Sequence, residues 1–208
     1  MVDFFAQASL PLWGLLMLGG LIHAFDADHL VAVTGGAAQG KLAKKECVLV
    51  ALRWAVGHGL ALLLVCGLVI LLGVSLPENL GTYTELLVGI FLLITGVSIV
   101  WVWYTKTQEV RWPLKKHRSS VMGLIQGVAG SAPLLIVLPL SAVNNFGLAV
   151  VYIILFTVSV AFMMCVVGGV LGAFVVWLKG TLVSGVNWLR FGLGLCSVAI
   201  GVTWIIQV

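Results

Sequence analysis

Residues 20–29 read Gly20-Leu21-Ile22-His23-Ala24-Phe25-Asp26-Ala27-Asp28-His29, inside an otherwise apolar run that extends from about residue 10 to residue 38. That run exceeds the roughly 20 residues an α-helix needs to cross a bilayer. Ionisable groups at its centre are expensive, because an aspartate at mid-membrane costs roughly 2.5–3.5 kcal/mol on an insertion scale. They must therefore face protein, water or an ion. At about 100° per residue, His23, Asp26 and His29 fall within one stripe of a straight helix and Asp28 points away from it. A local unwinding would bring Asp28 and freed backbone carbonyls to the same place, as in transporters with broken helices.

The rest of the chain fits this membrane reading. Of 208 residues, 62% are apolar and 9% charged, and the mean hydropathy is +1.20. A soluble domain carries roughly a quarter charged residues. Spans are expected at 10–38, 47–73, 84–105, 120–142, 147–178 and 182–207, giving an all-α polytopic membrane protein with about six transmembrane helices. The first and fifth exceed a simple crossing, which calls for tilt, a break or an extension into the cytoplasm. One integral domain, 1–208, takes up the whole chain. The first apolar run is too long for a signal-peptide core and Asp3 replaces the usual basic start, so it is expected to be retained as a span.

The net charge of +4 does not indicate nucleic acid, because the basic residues cluster between spans. Lys41, Lys44 and Lys45 follow the first span, Lys106, Arg111, Lys115, Lys116 and Arg118 the third, and Lys179 the fifth, with Arg190 just inside the sixth. The intervening loops hold Glu78 and Glu85 or Asn144 and Asn145. The positive-inside rule then places both termini outside the cytoplasm of a plasma (inner) membrane. The Lys115–Arg118 stretch reads as a topology signal in contact with anionic lipid, and Arg53 as a residue that snorkels to lipid phosphate. Trp101, Trp103, Tyr104 and Trp112 read as an interfacial belt. Cys47, Cys66, Cys165 and Cys196 form no C-x-x-C and read as small packing residues.

Laid side by side, the halves 1–105 and 106–208 match at Gly20-Leu21-Ile22-His23 with Gly123-Leu124-Ile125-Gln126. Asp28 falls opposite Ser131, and, after a shift of about two residues, Glu85, Gly89 and Gly96 fall opposite Arg190, Gly194 and Gly201. Three spans per half is an odd number, so the halves insert in opposite senses, a 3+3 inverted repeat. The competing explanation is that glycine-rich helices align by chance.

His58, in Val56-Gly57-His58-Gly59, sits near the middle of the second span at a depth matching the first cluster. Its flanking glycines allow close backbone approach. The candidate metal ligands are thus His23, Asp26, Asp28, His29 and His58. A nitrogen/oxygen set of this kind suits nickel, cobalt or zinc better than calcium or magnesium, and without clustered thiolates it disfavours copper(I). Intramembrane His and Asp also serve as proton relays. In the fourth span Gln126 and Ser131 are weaker candidates for lining a pathway, beside Pro133, which frees a carbonyl near Ala129.

The segment His23–His29 resembles the H-A-x-D-A-D-H signature of the nickel/cobalt transporter family and its short, six-span relatives associated with urease and hydrogenase. His23, Asp28 and His29 match the H-x4-D-H positions, and Asp26 the common preceding acid. Val56-Gly57-His58 resembles the family's second motif, and Gly127–Ala132 its H-G-L-A-G-S-A stretch. Two positions depart: Ile22 stands where a basic residue is frequent, and Gln126 where the short relatives tend to have histidine. The resemblance implies a secondary transporter of a divalent transition-metal ion, Ni2+ or Co2+ ahead of Zn2+, with the metal as substrate and no cofactor. The other readings of the cluster are a membrane-embedded redox or enzyme subunit, a proton-coupled transporter of another small substrate, and an assembly partner. Homo-oligomerisation is left open.

Overall fold

The computed structural model describes residues 10–39, 42–72, 79–106, 117–129, 146–182 and 184–208. Among these residues the chain forms α1 (Leu10–His23), α2 (Ala27–Ala38), α3 (Lys44–Leu72), α4 (Leu80–Thr105), α5 (Arg118–Val128), α6 (Phe146–Thr181) and α7 (Gly185–Gln207), with no strand. It is an all-helical multi-pass membrane protein. Four of these helices, α3, α4, α6 and α7, are long and apolar enough to cross a bilayer; α1 and α2 pass the same test only as a pair, bent by 55°, which brings the described spans to five where the pair counts as one. Of the expected fourth span, α5 supplies the start, while 130–142, including Ser131 and Pro133, lie outside the described residues.

The sequence dictates which face of each helix meets lipid. In α3, Leu60, Leu64, Leu68 and Leu71 recur at helical spacing and are all exposed, whereas Trp54, His58, Ala61 and Leu62 on the other side are buried. An apolar stripe that stays exposed is the inverse of a soluble amphipathic helix and is what a bilayer solvates. The core sits around α2, which touches each of α3 to α7. The buried cluster around it includes Trp54, Met122, Tyr152, Phe156 and Met164.

Two of the strongest helix contacts, α3 with α6 and α4 with α7, join spans that the half-chain alignment makes equivalent. A Cβ added at Gly96 would meet the carbonyl of Gly194, and one at Gly89 the carbonyl of Gly201. The alignment pairs Gly89 with Gly194 and Gly96 with Gly201, so each glycine contacts the equivalent of the other. Reciprocal contact of this sort is what a twofold axis produces. The α1–α6 and α3–α5 contacts, which the alignment also makes equivalent, are both prominent.

Of the tilt, break or extension expected for the long first span, the structure shows a break, with Ala24 and Phe25 in a turn and Asp26 in extended backbone at φ −54°, ψ 136°; two other sequence expectations need correction. Asp is a favoured residue just before a helix, where its backbone can leave the helical region. Arg118 is a buried residue rather than a lipid contact. Its position at the start of α5 turns the side chain inward, where it donates to Thr95 Oγ1 at 2.7 Å and lies over the Phe91 ring. Cys196 is exposed rather than packed, while Cys47 and Cys66 are buried. The longer fifth span is the continuous 36-residue α6, long enough at about 54 Å to extend well beyond a hydrocarbon core.

Candidate metal centre

The break in the first span decides the geometry of the site. Neither α1, with 14 residues, nor α2, with 12, is long enough alone to cross a core about 30 Å thick. Their junction falls within the protein, where the freed backbone groups find partners. The N–H of Asp26 bonds the carbonyl of His23 at 3.0 Å and that of Phe25 the carbonyl of Ile22 at 2.9 Å. The His23 carbonyl also lies 3.2 Å from Nδ1 of His29. With Nδ1 donating to that carbonyl, the neutral imidazole of His29 carries its lone pair on Nε2, which is then an acceptor or ligand.

Three imidazoles converge. The ring centroids of His23 and His29 are 4.6 Å apart, His29 and His58 5.1 Å, and His23 and His58 5.8 Å. One nitrogen from each lies within 4.8 Å of the others. His58 is fully buried, and neither of its ring nitrogens has a hydrogen-bond partner among the described residues. Buried polar atoms are almost always satisfied. A fully buried imidazole with two orphaned nitrogens beside two other imidazoles fits a divalent cation that takes nitrogen donors.

A second set, Asp26, Asp28 and His29, meets the same criterion of 4.8 Å. The two sets share His29. Asp28 does not point away as the straight helix required: it is buried, with one carboxylate oxygen 3.7 Å from Nε2 of His29. Asp26 takes the outer place, its side chain 45% exposed and 2.9 Å from Nδ1 of His23. Beside them opens a cavity of about 370 Å3, lined by His23, Asp26, Asp28, His29, Glu85 and Trp204 among others.

Gln126 is drawn into the site from α5. Its Nε2 donates to Asp28 Oδ2 at 2.8 Å, and its Oε1 accepts from Trp54 Nε1 at 2.6 Å. The approach is possible because α5 presents glycine to α3: a Cβ on Gly123 would collide with the Trp54 carbonyl, and one on Gly127 with the His58 carbonyl.

Of the five ligand candidates, the structure brings His23, His29 and His58 together in one group and Asp26, Asp28 and His29 in another. Gln126 joins them through Asp28, and Ser131 lies outside the described residues. Sequence reasoning missed Trp54, stacked on His58 at 4.8 Å, although its position one helical turn before His58 signals a shared face. It also missed Phe156, whose ring lies 5.5 Å from that of His23. No local signal marks that residue, because the α1–α6 pairing that brings it there is tertiary.

Comparison with known proteins gives the site its context. The family model named NicO, described as a high-affinity nickel-transport protein, matches residues 12–130, a stretch that holds every residue of the two donor sets. The urease accessory protein UreH of Bacillus sp. (strain TB-90) is 29% identical over 163 residues, covering 70% of this chain and 70% of that protein. No solved structure matches.

Proposed function

The chain belongs to the NicO family of high-affinity nickel-transport proteins, and from that premise we propose that it is a secondary transporter that takes Ni2+, or Co2+, into the cytoplasm through the His/Asp centre. Family membership makes it a membrane transport protein rather than an enzyme. The observation that carries the residue assignment is the convergence of His23, His29 and His58, with one nitrogen from each inside 4.8 Å of the others.

The two donor sets act in order. A hydrated cation meets the half-exposed Asp26 and Glu85 at the cavity, where carboxylates can replace part of its water shell. From Asp26, Asp28 and His29 it passes to His29, His23 and His58, keeping His29 as a common ligand. Oxygen donors accept any hard divalent ion, whereas imidazoles suit nickel, cobalt and zinc. Selectivity therefore resides in the second step. The carbonyl end of α1 contributes the negative pole of a helix dipole beside the ion.

Loop charge supports this direction. With Lys106 and Lys179 on the cytoplasmic side, the cavity beside the start of α4 and the end of α7 faces the other side, so both termini are non-cytoplasmic and access is from outside. The basic side of the centre is closed by the α3–α5 contact and by buried Arg118. The alternating units are the halves 1–105 and 106–208, a reading supported by the reciprocal glycine contacts between α4 and α7. The plasma membrane is the proposed location.

The test is uptake of radioactive nickel into proteoliposomes by the wild type and by His23→Ala, His29→Ala and His58→Ala. Each variant is expected to lose saturable nickel uptake while keeping its expression and its thermal unfolding profile. Unchanged nickel and cobalt flux in all three would overturn the assignment.

A further inference from the structure

The nitrogen set has an open side and a closed one. The cavity reaches it past Asp26, Asp28, Glu85 and Trp204, whereas its opposite side is covered by the indole of Trp54. Trp54 precedes His58 on α3 by one turn, about 6 Å, toward the end of that helix that carries Lys44 and Lys45. It is fully buried. Its ring stacks on His58 with centroids 4.8 Å apart and planes 15° apart, and its centroid lies 4.9 Å from that of His29. Among the described residues that line the cavity, Trp54 has no place.

Toward the basic end of the molecule a void of about 10 Å3, room for a single water, is lined by Ala32, Gly36, Thr95, Arg118, Ser119 and Met122 among others. Two helices connect it to the centre. Ala32 and Gly36 follow His29 on α2 by three and seven positions, and Met122 and Ser119 precede Gln126 on α5 by four and seven, so each helix presents one face to both places. Trp54 touches the upper end of both faces. It meets His29 through its ring and Gln126 through a 2.6 Å bond from its Nε1 to Oε1.

Resting on the transport reading above, we propose that Trp54 is the inner gate of the ion route and that Gln126 latches it according to whether Asp28 holds an ion. The Gln126 amide stands between the two: its Nε2 donates to Asp28 Oδ2 at 2.8 Å while its Oε1 accepts from Trp54. Hydrogen bonds in such a chain strengthen one another. With the centre empty, the Asp28 carboxylate polarises the amide and makes Oε1 a better acceptor, so the indole is held across the route. A divalent ion on Asp28 takes up that charge, both bonds weaken together, and the ring is free to swing from beneath the imidazoles. The empty protein is therefore closed toward the basic side, and only the loaded one opens. Phe156 also lies against an imidazole, 5.5 Å from His23, but a phenyl ring has no donor to offer Gln126.

A latch that acts on the empty centre makes exchange faster than net release. The protein is reconstituted in proteoliposomes with the cavity facing outward and loaded with saturating radioactive nickel, and release is followed into buffer without nickel and with saturating unlabelled nickel. Wild type is expected to release faster with external nickel, because net release requires the empty centre to reopen inward. Trp54→Phe keeps a ring beneath the imidazoles but removes the N–H; the ratio of exchange to net release is expected to fall roughly fivefold, the factor carried by one neutral hydrogen bond. Gln126→Leu is expected to lower the same ratio by at least as much and carries the test should Trp54→Phe fail to fold. Phe156→Leu, a packing change beside His23, is expected to keep the wild-type ratio even where both rates fall. The proposal is overturned by a wild type that external nickel does not stimulate, by an unchanged ratio in a correctly folded latch variant, or by an equal fall in Phe156→Leu. Nickel release that persists in His58→Ala, or is absent from wild type, instead sinks the transport reading and the gate with it.

Discussion

Replacing Gln126 by leucine removes two polar contacts at nearly constant volume, and the consequences separate binding from folding. Gln126 is 1% exposed and Asp28 7%, so neither bond is exchanged with bulk water when it is lost. The 2.8 Å bond to Asp28 Oδ2 holds a buried carboxylate in one orientation, with that same oxygen 3.7 Å from Nε2 of His29. Hydrogen bonds to a charged group contribute about 1.5–3 kcal/mol, and taking about 2 kcal/mol as the loss of preorganisation gives roughly 30-fold in affinity. That falls inside the roughly 10–100-fold range seen when a partner behind a metal ligand is removed. The assay is initial-rate nickel uptake into proteoliposomes over a wide concentration range. KM for Gln126→Leu is expected to rise roughly 30-fold with maximal rate reduced far less, because the imidazoles remain. Gln126→His, which keeps a donor toward Asp28 and an acceptor toward Trp54, is expected to restore most of the loss. The leucine variant also strands the Trp54 N–H, so its melting temperature is measured in parallel. A KM within twofold of wild type in a variant that folds normally would refute the role given to the Gln126–Asp28 bond.

Two further outcomes follow from the same geometry. Glu85→Gln removes one negative charge from the cavity that leads to the centre; a carboxylate about 10 Å from a divalent ion in water contributes about 0.8 kcal/mol, so uptake at low nickel should slow roughly fourfold at low ionic strength and converge with wild type at high salt, and a salt-independent defect would contradict a steering role. Gly123→Ala forces a Cβ into the Trp54 carbonyl and should cost about 1–3 kcal/mol by overpacking as well as parting Gln126 from Asp28, whereas Gly67→Ala and Gly169→Ala, which meet nothing within 4 Å, should melt and transport like wild type; equal behaviour of all three would show that α3 and α5 are not held in close contact.

The membrane class and the ligand candidates are legible in the sequence because both rest on cost. An apolar run needs a bilayer, and His23, Asp26, Asp28, His29 and His58 need a reason to be inside it. The roles within the set are not legible, because they depend on where the helix breaks. On a straight helix Asp28 points away and Asp26 joins the histidines; the turn at Ala24–Phe25 reverses that order, burying Asp28 and leaving Asp26 at the cavity. The only local signal for the break is Asp26, a residue favoured just before a helix; Ala24 and Phe25 are unremarkable helix residues, and the break is sustained by His29 bonding the carbonyl of His23 and by Gln126, from another helix, bonding Asp28. Arg118 misleads for a similar reason. Its neighbours Lys115 and Lys116 in a basic loop mark it as surface, while the Thr95 and Phe91 partners that bury it come from α4.

In the proposed cycle the bend that brings the donors together also supplies the means of release. His23 belongs to α1, Asp28 and His29 to α2, and His58 to α3, so the nitrogen set spans the 55° junction. The His29 tautomer that presents Nε2 depends on the His23 carbonyl across that junction. In the proposed cycle, a change in the angle between α1 and α2 therefore does two things together. It separates the imidazoles of His23 and His29, and it frees Nδ1 of His29, so that the ring can rotate away. Because α2 touches every later helix, the angle cannot change without shifting the packing of α5 and α7 from the other half. Ion release and movement of the halves then become one event. The centre is asymmetric for the same reason: the half that supplies the imidazoles carries the hinge, and the half that supplies Gln126 holds Asp28 against it.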